Sequence, residues 1–248
     1  MLEFNKVNAF YGKKQIIFNA NLKINSGITC VLGKNGSGKT TLMSLILNQI
    51  NYNGDIFLKG ENIQNISIQH RAKQVSFLPQ NVSDTSLTVY ELVMLARIPY
   101  LNFNKAQKED IKAVNSAIEV VRLKEKANQK VSELSGGEKQ RAYLALMLAK
   151  QTDIYIFDEP LSFLDPEFTA LFLKIVNDLK NEGKCIVIIM HDVNKAVEIA
   201  DDILLINNGS ISFFGSKERA INAEILEKEF NLKRYEITEN NEKEYIFK

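Results

Sequence analysis

Apolar residues along the chain follow two different periods, and each period predicts a different kind of element. Short runs rich in β-branched and aromatic residues, bounded by Gly, Asn or Pro, predict strands. They fall at residues 2–4, 16–18, 22–24, 55–58, 75–78, 154–157, 185–190, 203–206 and 210–214. The runs at 154–157 and 185–190 are continuously apolar, which is typical of buried parallel strands, whereas the opening strands are typical of an antiparallel edge.

Helical spacing dominates residues 83 to 150 and returns after Asp165. Thr88 and Glu91 have the spacing of a capping box that opens one helix, which Pro99 is expected to close. The next helix is predicted to turn one set of residues to the core, namely Ile111, Val114, Ile118 and Val121. Its water-facing set is predicted to be Lys108, Glu109, Asp110 and Lys112. The pattern therefore predicts an α/β protein with a helical lobe at residues 83–150.

A glycine-rich loop follows the apolar run at residues 28–32 and opens a helix. It fits G-x-x-x-x-G-K-[ST] and consists of Gly33, Lys34, Asn35, Gly36, Ser37, Gly38, Lys39, Thr40 and Thr41. Glycines let successive backbone N–H groups approach phosphate oxygens, and the positive end of the helix adds to the same site. In such a loop Lys39 reaches the β and γ phosphates, and the Thr40 hydroxyl ligates Mg²⁺. The loop therefore predicts nucleotide binding.

Two adjacent glycines, Gly136 and Gly137, stand directly before another helix rich in strong helix formers. Because glycine raises the entropic cost of ordering, this placement makes sense where an anion must approach the backbone. Ser135 and the two glycine N–H groups would then form a second phosphate cradle. A loop in which Ser135 only caps the helix fits the same residues at least as well.

Acidic residues and one histidine follow the two buried strands. Asp158 and Glu159 come after residues 154–157, at the strand end where open α/β sheets bind ligands. We expect Asp158 to hold the Mg²⁺ shell, and Glu159 to orient the attacking water or accept its proton. His191 follows the other strand and has the chemistry to donate to a terminal phosphate, although a single histidine is more often structural. An exposed acidic loop is the alternative for the carboxylates, and Tyr11 is either a core aromatic or stacks on a base.

The charge of the chain is balanced, with Lys+Arg 31 against Asp+Glu 30. It gives no electrostatic footprint for nucleic acid, which is therefore not an expected partner. Cys30 and Cys185 lie in apolar runs, and we expect both to be buried thiols in a reducing compartment. No secretory pattern opens the chain, and no apolar run reaches the about 20 residues that span a bilayer. Attachment to a membrane would require another chain.

Several motifs stand in a fixed order, namely the phosphate loop, Gln80, Leu-Ser-Gly-Gly-Glu at 134–138, Asp-Glu-Pro at 158–160, Leu164-Asp165 and His191. This ordered set resembles the ATP-binding subunits of ABC transporters over nearly the whole chain. The resemblance implies a P-loop NTPase (RecA-like) core with an antiparallel β subdomain at 1–82 and 151–215. It also implies an inserted α-helical subdomain at 83–150 and a tail at 216–248.

The resemblance further implies a head-to-tail dimer that binds ATP and Mg²⁺ between its two copies. Each ATP would lie between the phosphate loop of one copy and the trans segment of the other, which is Ser135, Gly136, Gly137 and Glu138. Tyr11 would stack on adenine, and Asp165 would line the dimer contact. The metal ligands would be Thr40, Gln80 and Asp158, with Gln80 also sensing the water. The catalytic residues would be Lys39, Glu159 and His191, the last contacting the γ-phosphate.

Residues 87–100 and 191–196 resemble the importers of iron-siderophore, haem and cobalamin complexes. This narrower resemblance implies two transmembrane permease subunits docking near residues 80–103, a second copy of this subunit and an extracytoplasmic cargo-binding protein. It implies a peripheral location on the cytoplasmic face of the inner or plasma membrane. The expected function is ATP hydrolysis that drives uptake of an iron-siderophore or related chelate, with haem, cobalamin or another small cargo as alternatives.

Two further functions compete with this prediction. A soluble ABC ATPase of iron-sulfur cluster assembly has a similar length, whereas repair ATPases carry long coiled coils and translation factors carry two cassettes, which this sequence lacks. A nucleotide-gated adaptor without hydrolysis is disfavoured by the intact Lys39, Asp158 and Glu159.

Overall fold

The computed structural model describes residues 1–101, 105–161, 166–239 and 242–248. Its strands are β1 (Leu2–Tyr11), β2 (Lys14–Ile24), β3 (Gly27–Leu32), β4 (Asn51–Leu58), β5 (Glu61–Asn62), β6 (Val75–Leu78), β7 (Ile154–Asp158), β8 (Cys185–Ile189), β9 (Asp202–Asn207), β10 (Ser210–Ser216), β11 (Arg234–Glu239) and β12 (Glu242–Phe247). Its helices are α1 (Lys39–Ile46), α2 (Ile68–Ala72), α3 (Val89–Met94), α4 (Lys108–Val120), α5 (Gly136–Ala149), α6 (Pro166–Asn181), α7 (Val193–Ile199), α8 (Lys217–Asn222) and α9 (Ile225–Phe230). Short 3₁₀ helices cover Leu95–Tyr100, Lys124–Lys126 and Val131–Glu133. In the part of the chain that is described, no helix has the length and apolar content to cross a membrane.

The chain divides into two compact units. One consists of Met1–Asn65 and Lys180–Lys248, and the other of Ile66–Leu179. The finer division predicted from sequence, with a helical subdomain at 83–150 and a tail from 216, remains a prediction. Each unit carries its own part of the predicted chemistry.

The first unit contains an antiparallel sheet and a largely parallel set of strands. The antiparallel sheet has the order β2-β1-β4-β5. In the other set β3 pairs in parallel with both β8 and β9, while β10 pairs antiparallel with β9. Every residue of β8 is buried, as its continuous apolar run predicts. Cys30 and Cys185 are both buried, and burial raises the pKa of the Cys185 thiol to about 12.

The second unit joins a parallel strand pair to a group of helices. β6 and β7 run in parallel, with Leu78 opposite Phe157 at their carboxyl ends. The capping box that opens α3 is formed as predicted, since the Thr88 side chain accepts from Glu91 N and the Glu91 side chain accepts from Thr88 N. Together the two units contain parallel and antiparallel sheets with helices, which confirms the predicted α/β class with an antiparallel β subdomain.

Pro99 does not end its helix, contrary to the sequence prediction. α3 ends at Met94 and continues directly into the 3₁₀ helix Leu95–Tyr100, which contains Pro99. Proline is tolerated there because its fixed φ suits the tight backbone of a short 3₁₀ segment.

The face of α4 also differs from the prediction at two adjacent residues. Asp110 was expected to face water but is buried, and Ile111 was expected in the core but is exposed. The reason is Arg97, a buried cation whose Nε lies 2.9 Å from Asp110 Oδ1. Leaving a buried guanidinium without a carboxylate costs more free energy than exposing one isoleucine side chain. Arg97 also donates to Ala149 O at 2.9 Å and stacks 3.9 Å from the ring centre of Tyr100.

Asp110→Ala is expected to destabilise the protein strongly, because it leaves Arg97 buried without its carboxylate. Removing one partner of a buried ion pair costs about 3–5 kcal/mol. Glu109→Ala changes the neighbouring exposed carboxylate and is expected to stay within about 0.5 kcal/mol of wild type. Urea unfolding followed by circular dichroism measures both values. Equal losses for the two variants would contradict the importance of the buried pair.

Candidate functional site

The glycine-rich loop at residues 33–38 connects β3 to α1 in the first unit. Ser37 N donates to Lys34 O at 3.1 Å, which folds the loop back on itself. Gly209, in the turn between β9 and β10, donates its N–H to Ser37 O at 2.8 Å. The same glycine accepts from Phe18 N at 2.9 Å, so backbone contacts hold the loop against β2 and the turn.

Two glycines of the loop are required by its geometry. A Cβ at Gly33 would lie 2.3 Å from Ile206 O and 2.6 Å from Ser37 Oγ. Gly38 has φ +109°, and a Cβ there would lie 2.9 Å from Ile17 Cδ1. Side chains are therefore excluded where the backbone must stay open to a ligand.

Polar groups of the loop fit a bound phosphate. Lys39 is buried at the start of α1, and its Nζ donates to Gly33 O at 2.8 Å and to Lys34 O at 3.2 Å. The Ser37 hydroxyl is buried and has no hydrogen-bond partner among the described residues. An ammonium group and an unsatisfied hydroxyl beside a helix N-terminus are what a phosphate group would satisfy. Asn35, Gly36 and Thr41 belong to the same loop and first helical turn, and Thr40 is exposed directly after Lys39.

Tyr11 lies at the end of β1 with half of its surface exposed, at 50%. Its exposure excludes the core aromatic that the sequence left open. An exposed ring before a turn is available to stack on a planar ligand.

His191 follows a strand that is hydrogen-bonded beside the strand leading into the phosphate loop. Val31 of β3 lies opposite Ile189 of β8, and Met190 N donates to Val31 O at 3.1 Å. Gly33 and His191 each come two residues after that register pair, so both lie at the same carboxyl edge of the first unit. His191 is exposed, and the next residue, Asp192, caps α7 by accepting from Lys195 N at 3.1 Å.

In the second unit the predicted Gln80, Asp158 and Glu159 lie at the carboxyl ends of β6 and β7. Gln80 Nε2 donates to Glu159 Oε2 at 2.6 Å, which brings two predicted water-positioning residues into direct contact. Asp158 is buried at the end of β7, whereas Glu159 is partly exposed. Glu159 has φ +51°, a left-handed conformation that costs a non-glycine residue about 1–3 kcal/mol. Such strain is found where a side chain must point in a required direction.

The segment at residues 135–138 forms a complete capping box at the start of α5. Glu138 Oε2 accepts from Ser135 N at 3.0 Å and from Ser135 Oγ at 2.9 Å, and Glu138 also pairs with Lys126. The cap that the sequence left as an alternative is thus present. It leaves Gly136 open, because a Cβ there would meet no atom within 4 Å. The Glu138 carboxylate, by contrast, is already held within the chain.

Two sets of predicted residues, the dimer contact and the magnesium ligands, remain predictions. Asp165, the predicted dimer contact, lies outside the described residues. The magnesium ligands Thr40, Gln80 and Asp158 remain a prediction, because Thr40 belongs to the first unit and Gln80 and Asp158 belong to the second. Within the described ranges, no three His, Cys, Asp or Glu side chains are grouped closely enough to hold a metal ion.

Three contacts of the site were missed by the sequence analysis. They are the bond between Gln80 and Glu159, the contact of the Gly209 turn with Ser37, and the pairing of Lys126 with Glu138. The parallel pairing of the strands at 75–78 and 154–157 would have indicated the first, because residues after paired strands meet at one edge. The other two had no local signal in the sequence.

Comparisons with known proteins agree on one family. The family model described as "ABC transporter" matches residues 17–162. The petrobactin import ATP-binding protein YclP of Bacillus subtilis (strain 168) is 34% identical over 94% of this chain and 93% of its own length. The ferric enterobactin transport ATP-binding protein FepC of Escherichia coli (strain K12) is 32% identical over 90% of this chain and 84% of its own. A solved structure described as the dimeric structure of MJ0796, a bacterial ABC transporter cassette, matches with a TM-score of 0.78 and 24% identity over 88% of this chain and 99% of that one.

Glu138→Gln is expected to make the protein less sensitive to acid. Its hydrogen bonds with Lys126 and Ser135 lower the pKa of Glu138 from its usual 4.5 to about 2. Because the folded-state pKa is the lower one, this stabilisation is complete above about pH 4.5 and is lost as pH falls through about 2. The Glu138 side chain is 26% exposed, so solvent screens the pair with Lys126. Its contribution to the free energy of unfolding is therefore on the order of 1 kcal/mol.

Glutamine keeps the cap but removes the charge, so the acid-induced loss of unfolding free energy should be smaller in Glu138→Gln. Urea unfolding between pH 6 and pH 2 measures this loss. Glu133→Gln, at an exposed position in the preceding 3₁₀ helix, is the matched control. The same pH dependence in both variants would refute the assignment to Glu138.

Proposed function

This chain belongs to the ABC transporter family of ATP-binding subunits, and we propose that it drives uptake of an iron-siderophore or related chelate through a membrane permease. Members of this family bind and hydrolyse ATP, so the chain is an ATPase. The observation that best supports the chemistry is the bond between Gln80 and Glu159 at the end of two parallel strands. The import and transport of petrobactin and ferric enterobactin, named for two relatives, support the cargo class.

The phosphate loop would bind and orient the triphosphate. Its amide groups and Lys39 would hold the β and γ phosphates, and the buried Ser37 hydroxyl would donate to a phosphate oxygen. Mg²⁺, when bound, supplies positive charge at the β and γ oxygens, and its protein ligands would be Thr40, Gln80 and Asp158.

Hydrolysis would depend on a correctly placed water. Glu159 would accept a hydrogen bond or a proton from that water, and the Gln80 amide would fix the direction of the Glu159 carboxylate. His191 would donate to a γ-phosphate oxygen, where negative charge must be stabilised. The chemistry needs no covalent intermediate with the protein, so positioning and charge account for the rate.

ATP would be bound between two copies of the chain. One copy offers the phosphate loop, and the other offers the N-terminal end of α5, where Ser135, Gly136 and Gly137 present backbone N–H groups. The Glu138 carboxylate would act indirectly by holding this helix end in shape. The related cassette described as dimeric supports the same assembly here, and we propose a homodimer in which Asp165 lines the contact.

The permease would dock on the 3₁₀ helix Leu95–Tyr100, within the predicted range of residues 80–103. Leu95 and Ile98 are apolar and exposed there, Ile98 at 57%. Arg97 and Tyr100 of the same segment donate to Ala149 O at 2.9 Å and Lys150 O at 2.7 Å, at the C-terminal end of α5. A movement of α5 would therefore reach the permease. An extracytoplasmic protein would deliver the cargo, and the subunit would work at the cytoplasmic face of the membrane.

Glu159→Gln is expected to bind ATP but lower kcat by about 100-fold to 10,000-fold, because the amide cannot accept the proton of the water. ATP should then hold the two copies together, and light scattering with ATP should give the mass of a dimer. Glu182→Gln, at an exposed position away from the site, should hydrolyse ATP normally and remain mostly monomeric. A Glu159→Gln variant that hydrolyses ATP at the normal rate would refute the role of Glu159.

Membrane vesicles that carry this subunit with its co-purifying permease are expected to take up a labelled iron-siderophore complex in an ATP-dependent manner. Ile98→Asp puts a charge on the proposed docking surface and should abolish co-purification and uptake, while the isolated subunit keeps its ATPase rate. Val120→Asp is the matched control, because Val120 is 48% exposed at the end of α4.

The same experiment separates the competing functions. Uptake of haem or cobalamin instead of the siderophore complex would change the cargo but keep the importer. Recovery of the subunit with soluble scaffold proteins only, without a polytopic membrane protein, would overturn the importer and favour iron-sulfur cluster assembly.

A further inference from the structure

The side chain of Asn194 holds the C-terminal strand β12 against α7 with both of its polar ends. Its Nδ2 donates to Phe247 O at 3.0 Å, and its Oδ1 accepts from Phe247 N at 2.8 Å. One side-chain amide thus satisfies both backbone groups of a single residue, as a neighbouring strand would. Phe247 is buried, which limits competition from water. We refer to this pair of bonds as the Asn194 clamp.

The hairpin of β11 and β12 has a second attachment at its base. Arg234 donates to Ile221 O at 2.5 Å and pairs with Glu227 at 3.2 Å. Lys233 and Lys248 join the two ends of the hairpin through backbone hydrogen bonds of 2.7 and 3.0 Å. These contacts hold the base of the hairpin in place. Because the Asn194 clamp joins β12 to α7, the position of α7 depends on the position of the hairpin.

α7 in turn sets the position of His191. The residue before His191, Met190, is bound to β3 through Val31 O at 3.1 Å. The residue after it, Asp192, caps α7, and Asn194 lies in the first turn of that helix. The backbone of His191 is therefore held on one side by β3 and on the other by α7. A shift of α7 would move the ring with it.

The side of α7 that faces α8 and β12 is not fully packed. A cavity of about 920 Å³ opens among α7, α8 and β12, and its lining includes Lys195, Glu198, Lys217 and Tyr245. A helix beside a cavity lacks part of the close contacts that fix elements in a packed core. The position of α7 therefore depends more strongly on the Asn194 clamp.

We propose that the C-terminal hairpin, acting through the Asn194 clamp, positions His191 for its contact with the γ-phosphate. Asn194 is then a positioning residue for ATP hydrolysis. The inference rests on the role of His191 in the proposed function. Loss of the clamp leaves the phosphate loop unchanged, so it should lower the rate of hydrolysis without weakening ATP binding.

Asn194→Ala in the full chain removes both bonds of the clamp. Hydrogen exchange at the Phe247 amide should become faster, and kcat should fall about 10-fold to 100-fold as the histidine loses its position. KM for ATP should stay within about twofold, because ground-state binding is not changed. Asn62→Ala removes a comparable bond to Asp55 of 2.9 Å in the antiparallel sheet, and as the matched control it should keep the wild-type kcat.

A double-mutant cycle with His191→Ala tests whether Asn194 acts through the histidine. In the His191→Ala background, Asn194→Ala should cause no further loss of kcat. Asn194→Asp keeps the acceptor and loses the donor, so its kcat should lie between wild type and alanine. If thermal melting shows that the alanine variant does not fold, the aspartate variant carries the same test.

The possible outcomes distinguish the positioning role of Asn194 from the proposed function of the chain. Faster exchange at Phe247 with an unchanged kcat, or losses that multiply in the double variant, would overturn the positioning role of Asn194 and leave the ATPase intact. A wild-type rate in His191→Ala would overturn the role of His191 in the proposed function and the present inference with it. A chain that hydrolyses no ATP in any form would overturn the proposed function itself.

Discussion

Close backbone contact between the phosphate loop and the turn at residues 206–209 is the constraint on which the rest of the site depends. Ile206 O occupies the space that a Cβ of Gly33 would need, and a Cβ at Gly209 would lie 1.9 Å from Ile16 O. Segments far apart in the sequence are thus locked together without side chains. The loop amides have fixed directions before a ligand arrives, which is what electrostatic preorganisation requires.

The structural features that could be predicted from the sequence are those that depend on residues close together in the chain. The phosphate loop, the capping box at Thr88 and the strand at residues 75–78 all follow from local patterns, and the Ser135 cap was one of two alternatives; the structure contains both caps and the strand. The family resemblance then implied the α/β fold and the ATPase activity, and the comparisons confirmed both. The roles of the individual site residues remain predictions.

Contacts between distant residues could not be predicted in this way. Asp110 is buried because of Arg97, 13 positions away, and Glu159 is held by Gln80, 79 positions away. Asn194 meets Phe247 across 53 positions. A helical or strand period compares only near neighbours, so it assigns a charged residue to water unless its partner is known. Buried ion pairs and side-chain clamps are therefore where sequence reasoning fails first.

The left-handed backbone of Glu159 has a consequence for how this protein would evolve. Gly or Asn adopts that conformation with less strain, so either would fit the backbone at position 159 better than glutamate does. Selection for thermal stability alone would favour these replacements, whereas selection for ATP hydrolysis would remove them if Glu159 has the role proposed above. On the proposed role, glutamate at position 159 gives up a small part of the folding free energy in exchange for a carboxylate at the site.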